Sequence, residues 1–274
     1  MADTIETSIL CGISLKHRGI SRSRPDLLFL HGLGDSGRAF DEAFESPGLG
    51  DYNLLIPDMP GYGGSAGFPD GSISFDGYVS LLCDLLSSQA AGPRLLVAHS
   101  MGGAIGSLLC SSEIAGTIRG FINVEGNLLT QDLFISGKAV AAADEGRFDE
   151  WFQIDFMEET VRKKWAPKDV TCQRYYESLK VCRPKAFLEN SRELVRRSRP
   201  SEAYPDGELA WLYTEMDLPK LFCFGAGCPK ETVGFLKEHH EEHQLFPGAS
   251  HSLMIDTAAD FYARVGGMAE RLFG

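Results

Sequence analysis

Ala98-His99-Ser100-Met101-Gly102-Gly103 is the stretch that decides how this chain is read. It lies between a short apolar run, Leu95-Leu96-Val97-Ala98, and a segment from Gly103 to Cys110 with helical character. A short run of buried aliphatics reads as a strand, so Ser100 falls on a tight strand-to-helix turn. Such a turn pushes the serine hydroxyl clear of the sheet edge. It also brings backbones together, so small residues are needed two before and two after; Ala98 and Gly102 meet that need. The N–H of Met101 opens the helix and points where an oxyanion would form. A plain glycine-rich turn with a buried serine is the competing reading, and the strand before and helix after argue against it.

Working outward, the same alternation recurs. Residues 27–30, 54–56 and 121–124 are further short apolar runs, and Phe75, Tyr78, Val79, Leu82 and Leu86 recur at helical spacing. Residues 5–20 suggest a leading hairpin. From about 127 to 217 no such strand appears; the segments 148–158, 171–182 and 185–197 read as helices, punctuated by Pro167, Pro184, Pro200 and Pro205. Strands then return at 221–224 and 244–246, with helices at 230–240 and 256–272. Non-alternating strands linked by helices imply an α/β fold with a mostly parallel central sheet flanked by helices. The expected organisation is a core of residues 1–126 and 218–274, with 127–217 inserted as a helical cap.

Composition agrees with one globular unit. The 274 residues are 43% hydrophobic and 23% charged, which excludes a disordered or coiled-coil chain. No apolar run is long enough to span a membrane. The net charge of −12 argues against a nucleic-acid partner. Seven scattered cysteines without a CxxC pair, and no leader pattern at the N-terminus, read as free thiols in a reducing cytoplasm. The charge is uneven: residues 161–199 hold twelve Lys/Arg against four Asp/Glu. That run reads as solvated helix faces, with attraction of anionic substrates as the alternative. The cap aromatics, among them Trp151, Phe152, Phe156 and Phe187, suit the insertion's own core better than a pocket.

Two further stretches carry chemistry. His31-Gly32-Leu33-Gly34 follows the first core strand directly. A glycine-rich turn there lets backbone amides face the top of the sheet, and the Leu33 N–H is the candidate second oxyanion donor; His31 reads as structural. Phe246-Pro247-Gly248-Ala249-Ser250-His251 follows the last strand. A serine needs a base at neutral pH, and imidazole has the right proton affinity. His17 falls in the leading hairpin, and His239, His240 and His243 sit among Glu238, Glu241 and Glu242, so His251 is the candidate base. The His239-His240-x-x-His243 cluster lacks an HExxH pattern, and no metal is expected. No GxxxxGK[ST] or GxGxxG precedes a helix, so no nucleotide cofactor is indicated.

Together these stretches resemble the α/β-hydrolase family. Ala98-His99-Ser100-Met101-Gly102 is similar to its Gly-x-Ser-x-Gly elbow, with Ala at the first position. His31-Gly32-Leu33-Gly34 resembles its oxyanion loop, Asp58-Met59-Pro60-Gly61-Tyr62-Gly63-Gly64-Ser65 the loop after its next strand, and Gly248-Ala249-Ser250-His251 its late Gly-x-x-His. The family's variable cap falls where 127–217 lies. A serine at the elbow argues against the carboxylate-nucleophile members, dehalogenases and epoxide hydrolases. One departure matters. The family most often carries its acid after the strand preceding the last, as Gly-x-x-Asp; here that stretch is Gly225-Ala226-Gly227-Cys228-Pro229. A minority places the acid one core strand earlier, where this chain has Asn123-Val124-Glu125. Glu125 is therefore assigned as the third member, with Glu231 or an acid-free Ser–His dyad as alternatives.

The reading is a serine hydrolase of a carboxylic ester or lactone, needing no cofactor, with Ser100, His251 and Glu125 as the catalytic set. A carbon–carbon bond hydrolase of diketone-type substrates, and a non-catalytic ligand receptor on the same scaffold, are the rivals.

Overall fold

The computed structural model of the protein describes residues 4–19, 21, 23–68, 73–88 and 92–274. The chain opens with β1 (Ile5–Leu10) and β2 (Ile13–Arg18), an antiparallel hairpin closed by Cys11-Gly12. Both turn residues have positive φ, 51° and 79°, the backbone twist a two-residue hairpin requires. The alternating core follows: β3 (Asp26–Leu30), β4 (Asn53–Pro57), α1 (Phe75–Ser88), β5 (Arg94–His99), α2 (Met101–Leu109) and β6 (Ile118–Val124).

Between β6 and the next strand the chain is helical: α3 (Phe134–Asp144), α4 (Phe148–Glu150) running into a π-helix at Trp151–Trp165, then α5 (Val170–Leu179), α6 (Pro184–Ser198) and α7 (Glu208–Thr214). The sheet resumes with β7 (Lys220–Phe224), α8 (Lys230–Glu238) and β8 (His243–Leu245), and the chain ends with α9 (Leu253–Asp256) and α10 (Ala258–Phe273). The last strand lies one residue earlier than its apolar run suggested, because Phe246 turns inward to pack on Phe261.

The eight strands form one sheet in the order β1-β2-β4-β3-β5-β6-β7-β8, antiparallel at β1–β2 and β2–β4 and parallel elsewhere. Successive side chains of β3 and β5 enter opposite layers. Leu28, Leu30, Leu96 and Ala98 join α1, α2 and the inserted helices, whereas Leu27, Phe29, Leu95 and Val97 pack with α9 and α10. Burial on both faces is why these strands lack polar alternation. Because β3 lies between β4 and β5, the chain leaves it in opposite directions on successive passes. That switch point opens a crevice at the carboxyl ends of β3 and β5, where open α/β sheets place their ligands.

Trp151, Phe152, Phe156 and Phe187 are at most 7% exposed and stack on one another, with Trp151 and Phe156 rings 5.2 Å apart and nearly parallel. They do not close a core of their own: the same hydrophobic cluster continues through Leu28, Leu30, Leu96 and Ala98 on the sheet face. The basic run is solvated in the main, and Arg162, Lys163, Arg174, Lys180, Arg192 and Arg196 each hold a carboxylate. Arg197 departs from the expectation: it is 5% exposed and binds Asp76 of α1, Glu193 of α6 and Glu208 of α7. All seven cysteines are free. Among the described residues no helix is long and apolar enough to cross a membrane.

Candidate active site

The elbow forms because β5 ends at His99 and α2 begins at Met101, leaving Ser100 alone to reverse the chain. Its φ of 53° and ψ of −120° lie where a non-glycine residue costs about 1–3 kcal/mol. The surroundings over-determine it: Ser100 N–H donates to Val124 O at 3.0 Å, and Gly103 N–H donates to Ser100 O at 2.8 Å. The glycines are demanded sterically. A Cβ on Gly102 would lie 2.4 Å from Leu30 O, and one on Gly103 2.6 Å from the Cα of Gly126. Met101 occupies the first position of α2, so its N–H has no acceptor within the helix.

The loop after β3 comes to the same place. A Cβ on Gly32 would lie 3.1 Å from Ser100 Cβ, so the loop carrying Leu33 runs directly against the nucleophile candidate. His31 is fully buried and structural, as expected: Nδ1–H donates to Gly32 O at 2.9 Å and Nε2 accepts Met59 N–H at 3.0 Å. Tyr175 of α5 donates its hydroxyl to Leu33 O at 3.0 Å. Asp35, two residues on, accepts Ser36 N–H; burial raises its carboxyl pKa, against the opposing pull of His31.

His251 and Glu125, 126 residues apart in sequence, meet at 2.6 Å, with His251 Nδ1–H donating to Glu125 Oε2. The other carboxylate oxygen, Oε1, accepts Gly225 N–H at 2.6 Å. Glu125 has a φ of 45° just past β6, its N–H donates to Cys223 O, and its side chain is 7% exposed. The loop expected to supply an acid thus supplies a backbone donor that holds the acid of the neighbouring strand. Gly225 has no room for a side chain, since a Cβ would lie 2.2 Å from Ser250 O. Cys228 does not replace the acid: burial, with Glu125 and Asp132 nearby, pushes its thiol pKa far up. Glu231 is exposed on the first turn of α8.

Burial pulls the His251 pKa down, but the hydrogen bond and charge of Glu125, with Asp132 and Asp35 behind it, outweigh that and leave it above the ordinary histidine value. The His251 ring makes its hydrogen bond to Glu125, and among the described residues none joins it to Ser100 Oγ. The histidine loop is itself tied down. Asp256 accepts Ser250 N–H at 2.8 Å through Oδ2 and the Thr171 hydroxyl of α5 at 2.7 Å through Oδ1. Asp256, Gly225 and Tyr175 escaped the sequence reading because each acts through a backbone group or a distant helix.

The His239, His240 and His243 cluster does not converge. His239 packs on the Phe235 ring and His243 Nδ1–H donates to Glu241 O. Among the described residues no group of three or more His, Cys, Asp or Glu side chains is placed to hold a metal ion.

Comparison with known proteins bears on the fold. The solved carboxylesterase of the thaumarchaeon Nitrososphaera gargenis superposes with a TM-score of 0.73 over 98% of both chains at 14% identity. A thermophilic esterase from Thermogutta terrifontis gives 0.73 over 99% of both chains at 15% identity. In sequence, 2-succinyl-6-hydroxy-2,4-cyclohexadiene-1-carboxylate synthase of Escherichia coli O81 (strain ED1a) is 37% identical over 95 residues, 34% of this chain. That match spans only 35% of the relative's own length. The model of the alpha/beta hydrolase family matches residues 27–265, and the chain belongs to that family.

Proposed function

We propose that the protein is a serine hydrolase cleaving a carboxylic ester or lactone through an acyl-enzyme on Ser100. The observation that carries this is the 2.6 Å contact of His251 Nδ1 with Glu125 Oε2, beside a serine held at positive φ on a strand-to-helix turn. With Nδ1–H committed to Glu125, His251 presents Nε2 as the free base. Ser100 Oγ attacks the carbonyl carbon as Nε2 takes its proton. The carbonyl oxygen gains negative charge against the Leu33 and Met101 N–H groups, each worth about 3 kcal/mol at the transition state. The imidazolium, stabilised by Glu125, passes the proton to the leaving alkoxide. Water then attacks the acyl-Ser100 ester by the same route and releases the acid.

Residues 127–217 are the cap over this site. Tyr175 on Leu33, Thr171 on Asp256, and the approach of Leu179 and Phe187 to Gly34 support that role. The esterase activity of the structural neighbours favours an ester substrate. The carboxylate that His251 receives from β6 supplies the acid the β7 loop lacks, which favours catalysis over a non-catalytic receptor.

The test is labelling by a fluorophosphonate probe alongside a panel of p-nitrophenyl esters, lactones and diketones. Wild type should label at Ser100 and hydrolyse an ester or lactone. Ser100→Ala should stay folded and lose at least about 10³-fold in kcat. A Ser100→Ala enzyme of undiminished activity, or an unlabelled wild type, refutes the mechanism; turnover of diketones alone selects the carbon–carbon reading.

A further inference from the structure

The residue before Ser100 has a role that the triad does not cover. His99 ends β5, is 4% exposed, and donates Nε2–H to the main-chain oxygen of His251 at 2.9 Å, across 152 residues of sequence. Its ring lies 4.6 Å from the His251 ring, centroid to centroid. Its other nitrogen, Nδ1, is buried without a hydrogen-bond partner. Nδ1 faces the oxyanion loop, where a Cβ on Gly32 would lie 3.0 Å away. One ring therefore touches all three segments that must be in register: elbow, histidine loop and oxyanion loop.

We propose that His99 is a positioning residue, its Nε2–H fixing the His251 main chain so that the imidazole stays aligned between Glu125 and Ser100. This rests on the serine-hydrolase reading above. The partner decides the tautomer: a carbonyl oxygen can only accept, so Nε2 carries the hydrogen and Nδ1 is a bare lone pair. Protonation of the ring would bury an unpaired Nδ1–H. Burial, the neighbouring His251 and His31 all hold the His99 pKa well below the ordinary histidine value, against the opposing hydrogen bond to His251 O. A neutral ring is what His251 needs at this distance, because it becomes a cation itself during proton transfer. An apolar ring would fill the space without stranding a lone pair, so the use of histidine here lies in the Nε2–H bond. Together with Asp256 on Ser250 N–H, that bond holds the loop on both sides of the His251 Cα.

Two variants separate positioning from packing. His99→Phe keeps a ring but loses the donor; His99→Gln keeps an amide N–H that can reach the same carbonyl. With an ester that wild type hydrolyses, His99→Phe should lose roughly 10²-fold in kcat, the scale of a small misplacement in a reacting pair, with KM little changed. Its acid limb in kcat/KM should move to lower pH as the loosened His251 loses the pull of Glu125. His99→Gln should recover most of the rate and the wild-type limb. Wild-type activity in His99→Phe, or equal losses in both variants with the limb unmoved, overturns the proposal. Should the variants not fold, ¹⁵N-labelled wild type decides: a neutral Nε2–H tautomer from pH 5 to 9 supports it, and an Nδ1–H tautomer or a titration in that range overturns it. An inactive, unlabelled wild type would instead bring down the hydrolase reading and this inference with it.

Discussion

Replacing Glu125 by Gln tests the least expected member of the site with the smallest change of shape. The carboxylate makes two bonds: Oε1 accepts Gly225 N–H and Oε2 accepts His251 Nδ1–H, each at 2.6 Å. Both neighbours are donors, and an amide has only one acceptor. If the amide oxygen stays on Gly225, the NH₂ faces His251 and forces Nδ1 to be the acceptor. The ring hydrogen then sits on Nε2, which can no longer take the Ser100 proton. If the oxygen turns to His251, two donors meet at Gly225 in a side chain that is 7% exposed. Leaving that contact unsatisfied costs about 1–3 kcal/mol, and the imidazolium still loses its counter-charge. Either way kcat should fall about 10⁴-fold, or about 5 kcal/mol in the barrier.

The pH dependence follows from the same pair. His251 must be neutral to act as base, so activity rises with pH through its pKa. Without the Glu125 contributions that raise it, the His251 pKa falls below its wild-type position. The residual activity of Glu125→Gln should therefore have its acid limb at lower pH than wild type. Stability runs the opposite way. A raised folded-state pKa means the pair stabilises fully below the ordinary histidine value of about 6.5 and ceases to as pH rises through the raised value. The Tm advantage of wild type over Glu125→Gln should thus be larger at pH 6 than at pH 9. Initial rates on a p-nitrophenyl ester from pH 5 to 9, with thermal melts, measure all three effects. An active Glu125→Gln with an unmoved limb would place the acid elsewhere; an inactive Glu231→Gln would point to α8.

Three further outcomes are expected. Gly102→Ala would set a Cβ 2.4 Å from Leu30 O; backbone cannot step aside cheaply, and urea unfolding should show a loss of about 3 kcal/mol. Arg197→Met removes the cation shared by Asp76, Glu193 and Glu208, and the unfolding free energy from urea melts should fall by about 2–3 kcal/mol, less than for a fully buried ion pair because Asp76 is 74% exposed. Anionic and neutral esters should show the same dependence of kcat/KM on salt from 0.05 to about 0.5 M, because at least seven of the twelve cations in the basic run are paired with carboxylates of the run or of neighbouring elements; a selective fall for anions would restore electrostatic steering.

What could be read from the sequence divides along physical lines. Strands buried on both faces announce themselves as unbroken apolar runs, and the elbow glycines are fixed by clashes that any Cβ would meet. Helix α3 left no such trace: Phe134–Asp144 is rich in alanine and lacks a clear apolar stripe. The basic count of 161–199 said nothing about direction. Arg196 and Arg197 are neighbours, yet one is 57% and the other 5% exposed, because successive residues of α6 point about 100° apart. His99 was legible as part of the elbow and not as a donor, since its partner is a main-chain oxygen and carries no residue signature.

Glu125 shows how an apparent defect can be half of an exchange. Strands β6 and β7 are adjacent and parallel, with Val124 opposite Cys223. Their carboxyl ends stand about 4.8 Å apart. Moving the acid from the β7 loop to β6 shifts its starting point by one strand, and the extra methylene of glutamate over aspartate helps to make up the reach. The vacated loop is not idle: freed of a side chain at Gly225, it comes close enough to Ser250 to donate its N–H to the displaced carboxylate. Sequence supplied the negative half of this argument, a loop without an acid, and the positive half, a carboxylate at the end of the neighbouring strand. The bond that joins them belongs to the backbone, which is why geometry was needed to see that the two halves are one arrangement.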